Sequence, residues 1–357
     1  MQITKFRDVL GGVSHRMGLD PDNLLDVEKA SFAEFIQSRV RQGWEYYPWP
    51  ETMKVEQRQY RPDYAGGTTY SNAASDVDSS QVYWPQEDKY YQALKSTSGN
   101  DPTDSSGTVN AQWEDLGVTY AASDYAAATD YAVGDTVFYP TNREYYTMHT
   151  NAGAGTVPTN ASYWGKLTPF IRFIKYEQTS ETKLGEIFSV TSKNPEANRA
   201  PTSLSYSLTD DGILPEFDAG SKIWLKFRPR TPSFTSTLYN NTTANYYVGD
   251  IVYDDGSSAG AQNTGECYEC IVAHTNSPAR TPDNTTYWTK QEIPKVIAEF
   301  VKQAGYASAL LQDGQHEKGP LLEEMALNLL YNELDKVQNQ QQQYRTIFTQ
   351  PLAVRVS

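Results

Sequence analysis

The sequence predicts an α+β protein: N- and C-terminal helices around a mostly antiparallel β middle, with three small all-β modules inserted in loops. Three observations predict this. Apolar residues recur at helical spacing near both ends, strand-like stretches fill the middle, and one pattern of text returns three times with unrelated sequence between the copies.

The N-terminal end comes first. "TKFRDVLGGVSHRM" is amphipathic and ends near Gly18, and Pro21 behind Asp20 suits a helix start. Phe32, Phe35, Ile36 and Val40 make one face of a second helix, which Gly43 is expected to stop. "WEYYPWPETMKVEQRQY" then reads as strand and Pro-rich turn. This helical part of a host domain covers 1–63.

Next come the repeats, at 64–117, 129–168 and 237–292, with 118–128 as a linker. Tyr131, Val133, Gly134, Asp135 and Val137 match Tyr246, Val248, Gly249, Asp250 and Val252. The "HTN" at His149 aligns with that at His274, and Pro158 precedes Trp164 as Pro282 precedes Trp288. The closing pairs are Tyr163-Trp164 and Tyr287-Trp288. The first copy is worn: Val82-Tyr83 stands before Tyr90-Tyr91 as Val137-Phe138 stands before Tyr145-Tyr146, and Trp113 leads to Leu116 as Trp164 leads to Leu167, but the Val-Gly-Asp turn is missing. Each copy reads as a β-hairpin closed by aromatics, the glycine supplying a permissive turn. A unit of about 40 residues buries little core alone, so its tyrosines and tryptophan must be core as well as any binding face.

Between the second and third copies, 169–236 is the β part of the host, with strand-like "FIRFIKYEQT", "EIFSVTS", "SLSYSLTDDGILPEF" and "KIWLKFRPRTP". The end, 293–357, is helical. "IPKVIAEFVKQAGYASALLQD" is one helix. A second follows Pro320, with Leu322, Ala326, Leu329, Leu330, Leu334 and Val337 along one face. Insertions survive in surface loops whose ends lie close together, so the modules are expected to interrupt a scaffold of helices, sheet and helices.

Composition narrows the function. The chain has 357 residues, 26 of them tyrosine, and a formal net charge of -14. The acidic balance and the absence of a long basic run argue against specific nucleic-acid binding. No apolar run is long enough to span a membrane, and the opening "MQITKFRDVL" lacks the apolar core of a signal peptide. The two cysteines, Cys267 and Cys270, point to opposite faces of a strand, which disfavours a disulfide, and with only His274 nearby as a third candidate ligand they read as free thiols rather than a metal site. The histidines, His15, His149, His274 and His316, are scattered, and no nucleophile elbow, Walker loop or zinc-protease motif occurs. Carboxylate pairs such as Asp210-Asp211 and Glu323-Glu324 read as solvated. Neither enzymatic activity, nor a cofactor, nor a metal is expected.

The Tyr-x-x-Gly-Asp-x-Val opening, the tyrosine of the second strand, the proline and the closing aromatic-Trp pair resemble carbohydrate-binding module family 5/12, the chitin-binding type. The resemblance covers about a third of the chain and fits the second and third copies better than the first. It implies stacking of exposed aromatics on sugar rings, with Tyr139, Tyr163, Trp164, Tyr253, Tyr287, Trp288 and Trp113 as candidates. The host is similar to tailed-bacteriophage head-to-tail adaptor (neck) proteins, on the stretch from Ala304 to Gln343 with its Asp313-Gly314-Gln315 turn and glutamine-rich helix end. That implies a virion structural protein assembled in a bacterial cytoplasm as a homo-oligomeric ring, with phage portal and tail or neck proteins as partners. The alternative is a tail receptor-binding protein whose modules bind host-surface glycan.

The end of the last helix is the expected docking segment. Gln338, Gln340, Gln341, Gln342 and Gln343 offer donors and acceptors without charge. Tyr344 follows, and Leu352 and Val354 lie in a strand-like "LAVRV" able to add to a neighbour's sheet.

Overall fold

A computed structural model gives the structure of residues 2–72, 80–116, 122–168, 171–177, 181–197, 201–210, 212–215, 222–240, 245–256, 264–275 and 280–349, the last nine of these for the backbone alone. Along the chain run β1 (Ile3–Thr4), α1 (Phe6–Arg16), α2 (Asp26–Tyr46) and β2 (Lys54–Gln59). The first module holds β3 (Gln81–Trp84), β4 (Lys89–Ala93) and β5 (Trp113–Asp115), and the second β6 (Thr136–Tyr139), β7 (Glu144–Met148) and β8 (Trp164–Leu167). The middle carries β9 (Ile174–Lys175), β10 (Leu184–Thr191), β11 (Tyr206–Leu208), β12 (Gly212–Pro215) and β13 (Lys222–Pro229). The third module holds β14 (Asn245–Tyr246), β15 (Ile251–Asp254), β16 (Glu266–Cys270), β17 (His274–Thr275) and β18 (Trp288–Gln291). The chain closes with β19 (Ile293–Pro294), α3 (Lys295–Gln312) and α4 (Lys318–Thr349). Helices at both ends and small antiparallel sheets between them make the fold α+β.

The chain divides into two compact units rather than one host domain: Met1–Met53 with Arg228–Ser357, and Lys54–Phe227. The helices and the third module form the first unit. The β middle and the first two modules form the second.

In the first unit, the apolar faces of four helices meet in one core. Phe6, Val9 and Val13 of α1, Phe32, Ile36 and Val40 of α2, Ile297, Phe300 and Val301 of α3, and Ala326 and Leu330 of α4 are all buried there. The face expected for α2 is the one that packs, with Phe35 at its partly buried margin. On α4, Leu334 and Val337 pack against the core but Leu329 is exposed, in one row with the exposed Leu321 and Met325 of the turns before it. Arg39 of α2 reaches Glu323 of α4 at 2.6 Å, and Tyr46 meets Tyr331 edge-on. The terminal strands β1 and β19 pair antiparallel, Ile3 opposite Pro294.

Two helix signals prove to have other meanings. Gly43 does not end α2, which continues to Tyr46. A Cβ there would sit 3.1 Å from Phe300 Cδ1 and 3.3 Å from Ile297 Cβ, so the glycine lets α2 and α3 approach closely. Pro21 opens only a short 3-10 turn, capped by Asp20, whose carboxylate accepts from the Asp22 N–H. The helix proper starts at Asp26, where Glu28 accepts from the Leu25 N–H.

In the second unit, β10, β13 and β2 form one sheet and β11, β12 and β9 another. Ile174, Leu184, Val190, Ile213, Ile223, Leu225 and Phe227 fill the core between them. Arg58 is buried within this unit and ion-paired to Glu56 and Glu181, which satisfies a charge that burial alone would make costly.

Candidate functional site

The three modules share one construction. Each has a three-stranded antiparallel sheet with the hairpin's second strand in the middle: β3-β4-β5, β6-β7-β8 and β15-β16-β18. Register makes the positions equivalent. Val82 faces Tyr91, Val137 faces Tyr146 and Val252 faces Tyr268, while Ala93, Met148 and Cys270 face Trp113, Trp164 and Trp288. All twelve are buried. Alternation along a strand puts these residues on one face, and that face is the module's core.

A lid of two tyrosines covers it. In the second module Tyr125 stacks on Tyr131, with ring centroids 5.7 Å apart, and both meet Trp164 edge-on. Tyr64 and Tyr70 do the same over Trp113, and Tyr239 and Tyr246 over Trp288. The second tyrosine's hydroxyl accepts from the N–H just after the first: Ala65 to Tyr70 and Ala126 to Tyr131 at 2.8 Å, Asn240 to Tyr246 at 2.9 Å. The chain enters each module by the same parallel bridge, at Asp63, Asp124 and Leu238.

These contacts redraw the sequence reading. The second module begins near Ser123, so Tyr125 belongs to it and not to a linker at 118–128. The first lid tyrosines, Tyr64, Tyr125 and Tyr239, escaped the alignment. Their signal is in the text, as "YAGGTTY", "YAAATDY" and "YNNTTANY". The two histidines are not equivalent. His149 directly follows Met148, whereas three residues separate His274 from Cys270, and the Ile271 N–H bonds the Tyr287 carbonyl as the His149 N–H bonds that of Tyr163. His149 is tied to Thr150 and the Ala161 carbonyl; His274 lies among Tyr246, Tyr287 and Trp288.

The expected sugar platforms fare unequally. Trp113, Trp164 and Trp288 are 2 %, 2 % and 1 % exposed, so none offers a face to a ligand. Their indole N–H groups donate inward, to the carbonyls of Asn100, Thr156 and Arg280. Tyr253 is buried from the other side of its sheet, edge-on to Phe6 of the helical core. Tyr139, Tyr163 and Tyr287 are half-buried, Tyr139 against Tyr125 and Tyr287 beneath the Arg280 guanidinium. The structure does not gather these seven residues into one site. The most exposed aromatic of the described module residues is Tyr247, at 65 %, which sequence reasoning missed. Its backbone is fixed by Asp250, whose carboxylate accepts from the Tyr247 N–H at 2.7 Å and whose own N–H donates to the Tyr247 carbonyl. The second module also has a shallow cleft lined by Asp130, Tyr131, Asn151 and Gly153.

Cys267 and Cys270 are free and lie on opposite faces, the first in the helical core and the second in the module core. Burial pushes the Cys267 thiol up to about 12. Among the described residues no group of His, Cys, Asp and Glu is placed to hold a metal, and no helix is long and apolar enough to cross a membrane.

At the chain end, Gln338 and Gln340 are exposed on α4. Gln341, Gln342, Gln343 and Tyr344 continue the helix backbone, their side chains lying outside the described residues, as do Leu352 and Val354 altogether. No protein-family model, curated protein or solved structure matches the chain.

Proposed function

We propose that the chain is a non-enzymatic virion structural protein, a head-to-tail adaptor that assembles as a ring between portal and tail of a bacteriophage and carries carbohydrate-binding-like modules. The observation that supports this most is α4. Val337 is the last of its described side chains to pack against the core, Gln338 and Gln340 beyond it are exposed, and the helix backbone runs on to Thr349 through a segment rich in glutamine. A segment of about 12 residues gains little from staying helical in water unless something packs on it. A neighbouring subunit or portal is what would cover it in this reading. Truncation after Val337 is expected to leave a folded, soluble protein that fails to join heads to tails. Infectious particles completed with the truncated chain would sink the proposal.

The receptor-binding reading keeps one observation in its favour. Tyr247 is exposed at a module surface, where a flat ring can stack on a sugar. Retention of the whole protein on insoluble chitin or cell-wall polysaccharide, lost in Tyr247→Ala, supports it; no retention on any such matrix removes it.

A further inference from the structure

The first two modules meet through matching rows of their sheets. In the first, Gln81, Gln92 and Glu114 stand side by side across the three strands; in the second, Thr136, Thr147 and Gly165 occupy the same row. Glu114 of the first row is within reach of Thr147 in the second, whose hydroxyl lies 2.9 Å from that of Thr136. The Gln92 amide donates to the Lys166 carbonyl at 2.9 Å and accepts from the Thr168 N–H at 3.0 Å. Asn72 brackets Lys166 likewise, donating to its carbonyl at 2.7 Å and accepting from its N–H at 3.0 Å. Since β8 is an edge strand, these two amides supply pairing that another strand would otherwise provide. At Gly165 a Cβ would overlap the Leu94 carbonyl, so only glycine allows this approach. The third module differs: its row is Ile251, Glu269 and Thr289, and Ile251 packs on the helical core.

We propose that this junction is a pH-sensitive joint: the two modules are held as one rigid body while Glu114 is neutral, and ionisation of Glu114 loosens them. A carboxylate in this row has to shed water in order to dock, and among the described residues no cation pairs with Glu114 to compensate. Asp115, beside it on β5, is paired with Lys89 of β4 at 3.0 Å. Glu144 of β7 and Lys166 of β8 pair with each other. Lys95, just after β4, acts on His149, just after β7. Burial pushes the Glu114 carboxyl up to about 7, Asp115 adds to the effect, and the nearby Thr147 hydroxyl opposes it. In separated modules the same group would titrate near the ordinary value of about 4.3. Docking is therefore strongest below that value and weakens as pH rises through about 7. His149 acts with the opposite sign: burial lowers its pKa, so its contribution is lost as pH falls.

Hydrogen exchange of the full chain between pH 5 and 8, corrected for intrinsic exchange rates, tests the joint at the Lys166 and Thr168 amides. Protection there is expected to fall roughly ten- to a hundred-fold over this range. The Thr147 amide, paired inside the second module, stays protected and reports that the module is folded. Glu114→Gln is expected to hold the pH 5 protection throughout. A wild-type pH profile in Glu114→Gln, or no profile in the wild type, overturns the proposal. Asn72→Ala leaves both module cores intact and lowers Lys166 protection at every pH; unchanged protection in that variant also overturns it.

Discussion

The ring of Tyr246 meets that of Trp288 edge-on, with centroids 4.9 Å apart and planes at 70°. Tyr131 meets Trp164 at 5.4 Å and 70°, and Tyr70 meets Trp113 at 5.3 Å and 63°. One aromatic contact thus closes all three modules, and the tryptophan in it is core.

Trp164→Ala and Trp288→Ala are therefore expected to unfold their own module before they affect any ligand. Removing a buried indole costs about 3–5 kcal/mol, most of what a unit this small can have. Exchange of the amides of β7 or β16, followed in each variant, checks this. A module that stays protected without its tryptophan would show that the lid tyrosines alone hold it.

The Val-Gly-Asp turns give a second prediction. Gly134 and Gly249 share φ +97 with open space around the missing Cβ. Alanine at either position is expected to cost about 1–2 kcal/mol from backbone strain alone. Gly153 also has open space but no positive φ, so Gly153→Ala should be close to neutral. Denaturant midpoints of the three variants separate the backbone effect from packing.

The thiols give a third. Cys267 is fully buried, and burial holds its thiol far above neutral pH, while the Cys270 thiol donates to the Val272 carbonyl at 3.2 Å. Thiolate is the reactive form, so the native protein is expected to resist alkylation at pH 8, with both cysteines labelled in denaturant. Mass spectrometry after brief iodoacetamide treatment reads this directly. Rapid native labelling of Cys267 would mean that the third module opens away from the helices.

Local patterning determined much of this protein. The helical face through Phe32, Ile36 and Val40 and the hairpins through Val137 and Tyr146 are legible because side-chain direction along a helix or strand follows from spacing alone. The repeat of the modules is legible for the same reason. Tertiary structure decided which face of each strand is interior. Tyr163 and Trp164 are neighbours at the edge of one core, Trp164 inside it and Tyr163 half-buried against it, and nothing in their order says which one water reaches. Tyr253 looks as available as Tyr139 in the text, yet it is buried because its module packs on Phe6 and the helices behind it. Gly43 reads as a helix stop until Phe300 is seen lying against it. The two histidines looked equivalent because an alignment matches letters, whereas pairing in the sheet counts residues, and three extra ones precede His274.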